Sequence, residues 1–384
     1  MVDNCLQAIN SYAVSLPPMP GQITPAEKQT FEFQQQVRQL VADFIGASRP
    51  QEISFHFSTT AALFNLAFAL RSLFRPGKNL VVTDMDHFAN ISPWENLGLA
   101  QGAEIRRVRL TPELMLDRTD LLDKVDKDTV LVALTGASNA LGTILPLTDL
   151  ISDLKQKSDA LVVVDAVHLA PHVPIDVREL GCDFLAFSGY KTFGPMLGLL
   201  YSRQETRDRL SPYRVETNQE AMPYCWEQGM LPNLNLAGLK GALDYLLELG
   251  KAAHPRESSA PTRKIFRLTL EAIKKYEQNL SLYFLERWKK FQSPRLRFYG
   301  IENPARVTFR TPTFALEVAG LTPAELKKLF WERAGIIIAD GNHYSAVVVR
   351  HLKKNALNRV SLAHYDGPDS LDLFFDCLEN ILSH

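Results

Sequence analysis

Residues 161–195 read LVVVDAVHLAPHVPIDVRELGCDFLAFSGYKTFGP. The opening run, LVVVDAV, is apolar on both of its alternating faces, as expected of a strand covered on both sides. Its one acid, Asp165, stands at the end of the apolar run. A second run, DFLAFS (183–188), leads through Gly189 and Tyr190 to Lys191. Ligands of open α/β sheets sit in the crevice at the carboxyl ends of the strands. Asp165 and Lys191 are therefore expected to face one crevice.

The pattern extends both ways along the chain. SFHF (54–57), NLVVTD (79–84), AEIRRVRL (103–110), TVLVALTG (129–136) and LGLLYS (197–202) read as further strands. AALFNLAFALRSLF (61–74) and PLTDLISDLKQKSD (146–159) read as helices between them. Strands separated by helices predict a parallel sheet sandwiched by helices, with right-handed crossovers. LNLAGLKGALDYLLELG (234–250) reads as one helix ended by Gly250, and the polar stretch 251–263, with two prolines, marks a boundary. Beyond it come a helical pattern over 264–293 and short strands at 295–300, 311–318, 336–340 and 359–365. A helix over 322–335, capped by Thr322, and a terminal helix over 370–382 complete the pattern. The expected organisation is α/β: an N-terminal segment (1–25), a large domain (26–250) and a smaller α/β domain (251–384), the N-terminal segment packing with the smaller one.

The 384 residues suffice for two or three domains and a large core. Forty-two basic against 43 acidic side chains leave a net charge of −1, with no segregation of sign along the chain. That balance argues against a nucleic-acid binder or a membrane-surface protein. No stretch approaches the roughly 18–20 apolar residues of a membrane helix. The four cysteines, Cys5, Cys182, Cys225 and Cys377, make no CxxC pair and no disulfide framework. The first residues lack the basic and apolar regions of a signal peptide. A reducing, cytoplasmic compartment is expected, and no metal site.

An amine and a carboxylate in one strand-end crevice suit pyridoxal 5′-phosphate. The lysine can hold the aldehyde as an imine, and the carboxylate keeps the pyridine nitrogen protonated so that the ring draws electrons. Taken singly, Asp165 is equally a strand-end turn former and Lys191 a solvated loop lysine. Ser58-Thr59-Thr60 opens a helix, where free N–H groups and the dipole favour a phosphate, and where Ser and Thr also serve as caps.

With these pieces the chain resembles the class-V aminotransferases, in their cysteine desulfurase-like branch of fold type I enzymes. The family's Asp-x-x-Gln appears as Asp165-Ala166-Val167-His168, and its Ser-x-His-Lys-x-x-Gly-Pro as Ser188-Gly189-Tyr190-Lys191-Thr192-Phe193-Gly194-Pro195. The resemblance implies that Lys191 binds the cofactor covalently and that Asp165 holds the ring nitrogen. His168 would donate to the phenolic oxygen, and Ser58, Thr59, Thr60, Ser188 and Tyr190 would hold the phosphate. Asp86-His87-Phe88-Ala89-Asn90 is similar to the family's Glu-His-x-x-Asn, so His87 would stack on the ring and relay protons. Asn139 would bond near the phenolic oxygen or the substrate carboxylate, and Arg359, in Arg359-Val360-Ser361, would clamp that carboxylate. His343 would contact the substrate.

The departures from the family pattern are as informative. Gly341-Asn342-His343-Tyr344 places Tyr344 where persulfide-forming members carry cysteine, and Gly229-Met230 replaces a Gly-Thr that reaches the partner subunit's phosphate. The usual N-terminal strand that helps cover the substrate is also expected to be missing. The implied protein is a homodimer with shared sites that acts on a small amino acid. C–S lyase chemistry without an enzyme persulfide is favoured. An aminotransferase with a small oxo-acid acceptor is the alternative, and a non-catalytic dimeric binding protein of the same fold the reading from another class.

Overall fold

In the computed structural model, residues 1–216, 223–291 and 293–383 are described. The strands are β1 (Ile53–His56), β2 (Asn79–Thr83), β3 (Glu104–Val108), β4 (Thr129–Thr135), β5 (Leu161–Asp165), β6 (Phe184–Ser188) and β7 (Gly198–Ser202) in the first part of the chain. A second set follows: β8 (Leu296–Tyr299), β9 (Thr313–Val318), β10 (Ala339–Gly341) and β11 (Leu357–Ser361). The helices before residue 210 are α1 (Asp3–Val14), α2 (Pro25–Ile45), α3 (Thr59–Ala69), α4 (Ser92–Ala100), α5 (Arg118–Lys124), α6 (Leu147–Lys157) and the single turns α7 (Val177–Leu180) and α8 (Gln204–Arg207). Those after it are α9 (Asn233–Ala253), α10 (Thr262–Lys290), α11 (Pro323–Ala334), α12 (Ala346–His351) and α13 (Pro368–Leu382).

The large sheet has seven strands in the order β1-β7-β6-β5-β4-β2-β3. All neighbours pair in parallel except at β7, which runs antiparallel to both β1 and β6. The expected parallel sheet therefore holds but for this strand. The short link from β6 to β7, residues 189–197, has no room for the crossover that a parallel return needs. Alternate residues of each strand enter different cores. Val81, Val162 and Val164 face the side covered by α2, α6 and α9, while Leu80, Val82 and Val163 face the side covered by α3 and α4.

The smaller sheet is antiparallel, β10-β11-β9-β8, and packs its apolar face on α11, α13 and the second half of α10. Thr322 caps α11 as expected, in a capping box with Glu325. The strand expected at 336–340 is only three residues long and is centred on Asp340.

Two helical segments were not legible as such. Helix α2 starts at a Thr24 capping box. Helix α1 lies along α9, where Gly238 and Gly241 present no side chains and admit Ile9, Cys5 and the Asn4 backbone. The N-terminal segment therefore packs chiefly on a helix preceding residue 254, not on the smaller sheet. Helix α10 joins the two units. Its Phe266, Leu270 and Ile273 belong to the large core, and its Leu280, Phe284, Leu285 and Trp288 to the small one.

Candidate active site

A cavity of about 770 Å³ opens at the carboxyl ends of β1, β4, β5 and β6, and the smaller unit supplies its opposite wall through residues 340–344 and Arg359. Every site residue nominated from the sequence lines it.

The first wall is the start of α3. Ser58 is the N-cap, its Oγ accepting from the Ala61 N–H at 3.1 Å. The Thr59 hydroxyl lies 2.7 Å from the Phe187 carbonyl and 2.6 Å from Ser188 Oγ, which ties the helix start to the end of β6. The exposed Thr60 follows. Capping leaves other first-turn N–H groups aimed at the cavity, a seat for an anion.

Asp165 closes the cavity floor. One of its oxygens accepts from the Val167 N–H at 2.9 Å, and no cation pairs with it among the described residues. Burial without a counter-charge pushes its carboxyl up to about 6. A buried carboxylate in this state suits a cationic partner.

His168 is buried beside it, its Nε2 3.1 Å from Thr311 Oγ1. The Thr311 hydroxyl also lies 3.3 Å from the Gly142 carbonyl. Burial holds the imidazole well below its ordinary pKa, hence neutral. Its ring lines the cavity.

His87 follows β2. Its Nδ1 accepts from the Ala89 N–H at 3.0 Å, which leaves the proton on Nε2. Burial, then Lys191 and Arg359, lower its pKa to about 4. The preceding Asp86 braces the turn, with bonds from the Thr83 hydroxyl and from Asn90 Nδ2 (2.7 Å). Lys191 makes no hydrogen bond or ion pair among the described residues; its Nζ lies 5.7 Å from the centre of the Tyr190 ring. Burial, then Arg359, lowers its pKa, which favours the neutral, nucleophilic amine.

On the opposite wall, Arg359 donates to the Asn139 carbonyl at 2.7 Å, and its buried Nε has no partner among the described residues. A guanidinium with free donors at a cavity wall fits a carboxylate. The Asn139 side chain does something the sequence did not reveal. Its Nδ2 donates to the His343 carbonyl at 2.7 Å and its Oδ1 accepts from Ser345 Oγ at 2.6 Å. His343 turns its Nε2 toward the Leu357 carbonyl at 3.2 Å. Other lining residues that sequence reasoning passed over are Phe57, Thr135 and Asp340. Phe57 adjoins β1, Thr135 ends β4 and Asp340 lies within β10, and those positions were the signal available.

The class-V aminotransferase family profile matches residues 6–267 and 262–374. The chain belongs to the class-V aminotransferase family. A cysteine desulfurase of Pectobacterium atrosepticum is 32% identical over 360 residues, covering 90% of this chain and 81% of that one. One from Serratia proteamaculans is 32% identical over 359 residues with the same coverage. The structure of a cysteine desulfurase from Thermococcus onnurineus superposes with a TM-score of 0.87 at 25% identity, covering 99% of this chain and 91% of that one. An Escherichia coli cysteine desulfurase gives 0.83 at 21% identity, over 99% and 92%. As a class-V member the chain is a pyridoxal-phosphate-dependent enzyme of fold type I.

The cavity suits that cofactor on its own terms. It offers an unpaired buried carboxylate, an unpaired lysine, a helix N-terminus and an arginine with a free buried donor. The cysteines Cys5, Cys182, Cys225 and Cys377 are all buried, and none is among the lining residues. No helix among the described residues is long and apolar enough to cross a membrane.

Proposed function

We propose that this chain is a C–S lyase acting on cysteine or a related β-substituted amino acid, releasing the sulfur without an enzyme-bound persulfide. The observation behind this is a cavity that gathers Lys191, Asp165 and Arg359 and has Tyr344, not a thiol, on the wall opposite the lysine. The relatives named cysteine desulfurase support cysteine or a near analogue as substrate.

Asp165 would hold the ring nitrogen, the α3 N-terminus with Ser58, Thr59 and Ser188 would hold the phosphate, His87 would lie on the ring face, and Lys191 would be the covalent anchor. Bound pyridoxal phosphate supplies an aldehyde for the substrate amine and a ring that draws electrons from the α-carbon. Arg359 receives the α-carboxylate on its free donors and so fixes the α-carbon in front of Lys191. The lysine, whose lowered pKa leaves more of it as the unprotonated amine, moves the α-proton. His87, neutral with its proton on Nε2, packs the other side.

The working unit in this proposal is a homodimer whose subunits complete each other's cavities. Supporting it, Phe57 and Met196 at the cavity mouth are 65% and 71% exposed, as an isologous interface would require before pairing.

A second reading, transamination with a small oxo acid, is favoured by the lack of a thiol in the cavity. Incubation with L-cysteine separates the two. Sulfide with pyruvate is expected. A new amino acid formed only when an oxo acid is added overturns the lyase reading. Lys191→Ala should lose the borohydride-reducible link to the cofactor while the protein still folds.

A further inference from the structure

The loop between β10 and α12 adopts a backbone that side chains disfavour. His343 and Tyr344, two consecutive residues with β-carbons, have φ of +53° and +56°, after Gly341 at +120°. Left-handed backbone crowds a β-carbon against the carbonyl, and such residues persist only where the surroundings hold them. Here the surroundings are specific. Asn139 spends both ends of its amide on the loop, at the His343 carbonyl and Ser345 Oγ. The Phe88 N–H donates to the Tyr344 carbonyl at 2.8 Å.

The side chain this geometry presents is Tyr344. Its ring lies 5.4 Å from that of His87, tilted by 34°, and it lines the cavity. It is 72% exposed, and its hydroxyl has no hydrogen-bond partner among the described residues. A strained loop, fastened from the other unit, thus carries a free phenol to the mouth of the reaction site.

We propose that Tyr344 is a catalytic acid, delivering a proton to the departing β-substituent, and that Asn139 is the positioning residue that keeps it there. This rests on the C–S lyase reading. Lys191 Nζ takes the proton from Cα, and the released electron pair becomes the Cα–Cβ double bond. The Cβ–S bond breaks with its pair going to sulfur. The sulfur takes the Tyr344 proton and leaves as a neutral thiol. The phenolate regains a proton from solvent through its exposed edge, and Lys191 returns its proton to solvent. The balance needs no oxidant or reductant. The substrate class is an L-amino acid whose β-substituent leaves as the conjugate base of a weak acid, a thiol or alkyl thiol.

The test compares two leaving groups in the cofactor-loaded enzyme. S-methyl-L-cysteine releases methanethiolate, which needs a proton; β-chloro-L-alanine releases chloride, which needs none. Tyr344→Phe should lower kcat for pyruvate release from S-methyl-L-cysteine by roughly 100-fold, the scale of one general acid. It should leave β-chloro-L-alanine nearly unchanged. The dissociation constant of S-methyl-L-cysteine, read from the cofactor absorbance, should not move. Asn139→Ala should reproduce that leaving-group bias and also speed proteolytic cleavage within 341–346. Equal losses on both substrates, or none, in Tyr344→Phe overturn the acid role. An Asn139→Ala protein with unchanged leaving-group ratio and cleavage overturns the positioning role. Wild-type enzyme that binds both amino acids and releases pyruvate from neither overturns the lyase reading, and this proposal with it.

Discussion

Gly198 and Ser58 touch backbone to backbone: a β-carbon placed on Gly198 would lie 2.3 Å from the Ser58 carbonyl oxygen and 2.6 Å from the Thr59 nitrogen. The first residue of β7 is thus what lets the start of α3 settle onto the sheet. Gly198→Ala should push that helix start outward. We expect a stability loss of about 1–3 kcal/mol or more, together with much weaker retention of pyridoxal phosphate. Thermal melts and cofactor absorbance after dialysis check this. Unchanged retention would mean that the α3 terminus is not the phosphate seat.

Asp165 should show opposite effects with and without cofactor. Its carboxyl, pushed up to about 6, is a buried charge without a partner at neutral pH. In cofactor-free protein Asp165→Asn should therefore stabilise the fold, by up to roughly 3 kcal/mol at 1.36 kcal/mol per pKa unit. In loaded protein it should lower turnover by about a hundredfold or more. Near-normal turnover with cofactor bound would remove Asp165 from the role of ring-nitrogen partner.

Buried and half-buried histidines set the acid limit. His56, His87, His343 and His364 are each lowered to about 4 by burial, and His168 lies well below its ordinary value. The unfolded chain binds these protons first, so their contribution is present above pH 6.5 and is lost as pH falls from 6.5 towards 4. Asp165 and Asp86, raised to about 6 and about 8, act in the opposite sense. Five histidines outweigh two acids, and the melting temperature of cofactor-free protein should drop between pH 7 and pH 5. A flat profile would contradict the neutral state of these rings.

The cysteines should be dispensable. All four are buried, and burial raises each thiol, that of Cys182 to about 12. Such thiols are poor nucleophiles. Alkylation of the native protein and each single Cys→Ser change should leave lyase activity largely intact. Cys225 gives the sharpest check. A one-sulfur adduct on it after turnover with cysteine, seen by mass spectrometry, would restore a persulfide relay.

Much of this arrangement was legible in the sequence because strand ends announce themselves. Asp165 terminates an uninterrupted apolar run, and Lys191 follows a second one; both reach the same cavity. What stayed hidden depends on distant partners. Asn139 reads as a turn residue, and nothing near it signals that its amide clasps residues 343–345. His168 reads as a cofactor contact, and nothing near it signals the Thr311 hydroxyl that meets its Nε2 from the other unit. The reversed direction of β7 is set by the brevity of one connection, and apolar periodicity cannot report direction.

Helix α10 runs unbroken through both hydrophobic cores, and near its middle the buried Glu277 bonds His172 at 2.8 Å. The smaller unit is therefore not a lid on a string. The polar stretch before Thr262 is no hinge, because the rod that follows it is embedded at both ends. Any widening of the cleft must flex this rod about its midpoint, against the Glu277–His172 fastening. Heat, by the same coupling, should melt the two cores in a single calorimetric transition.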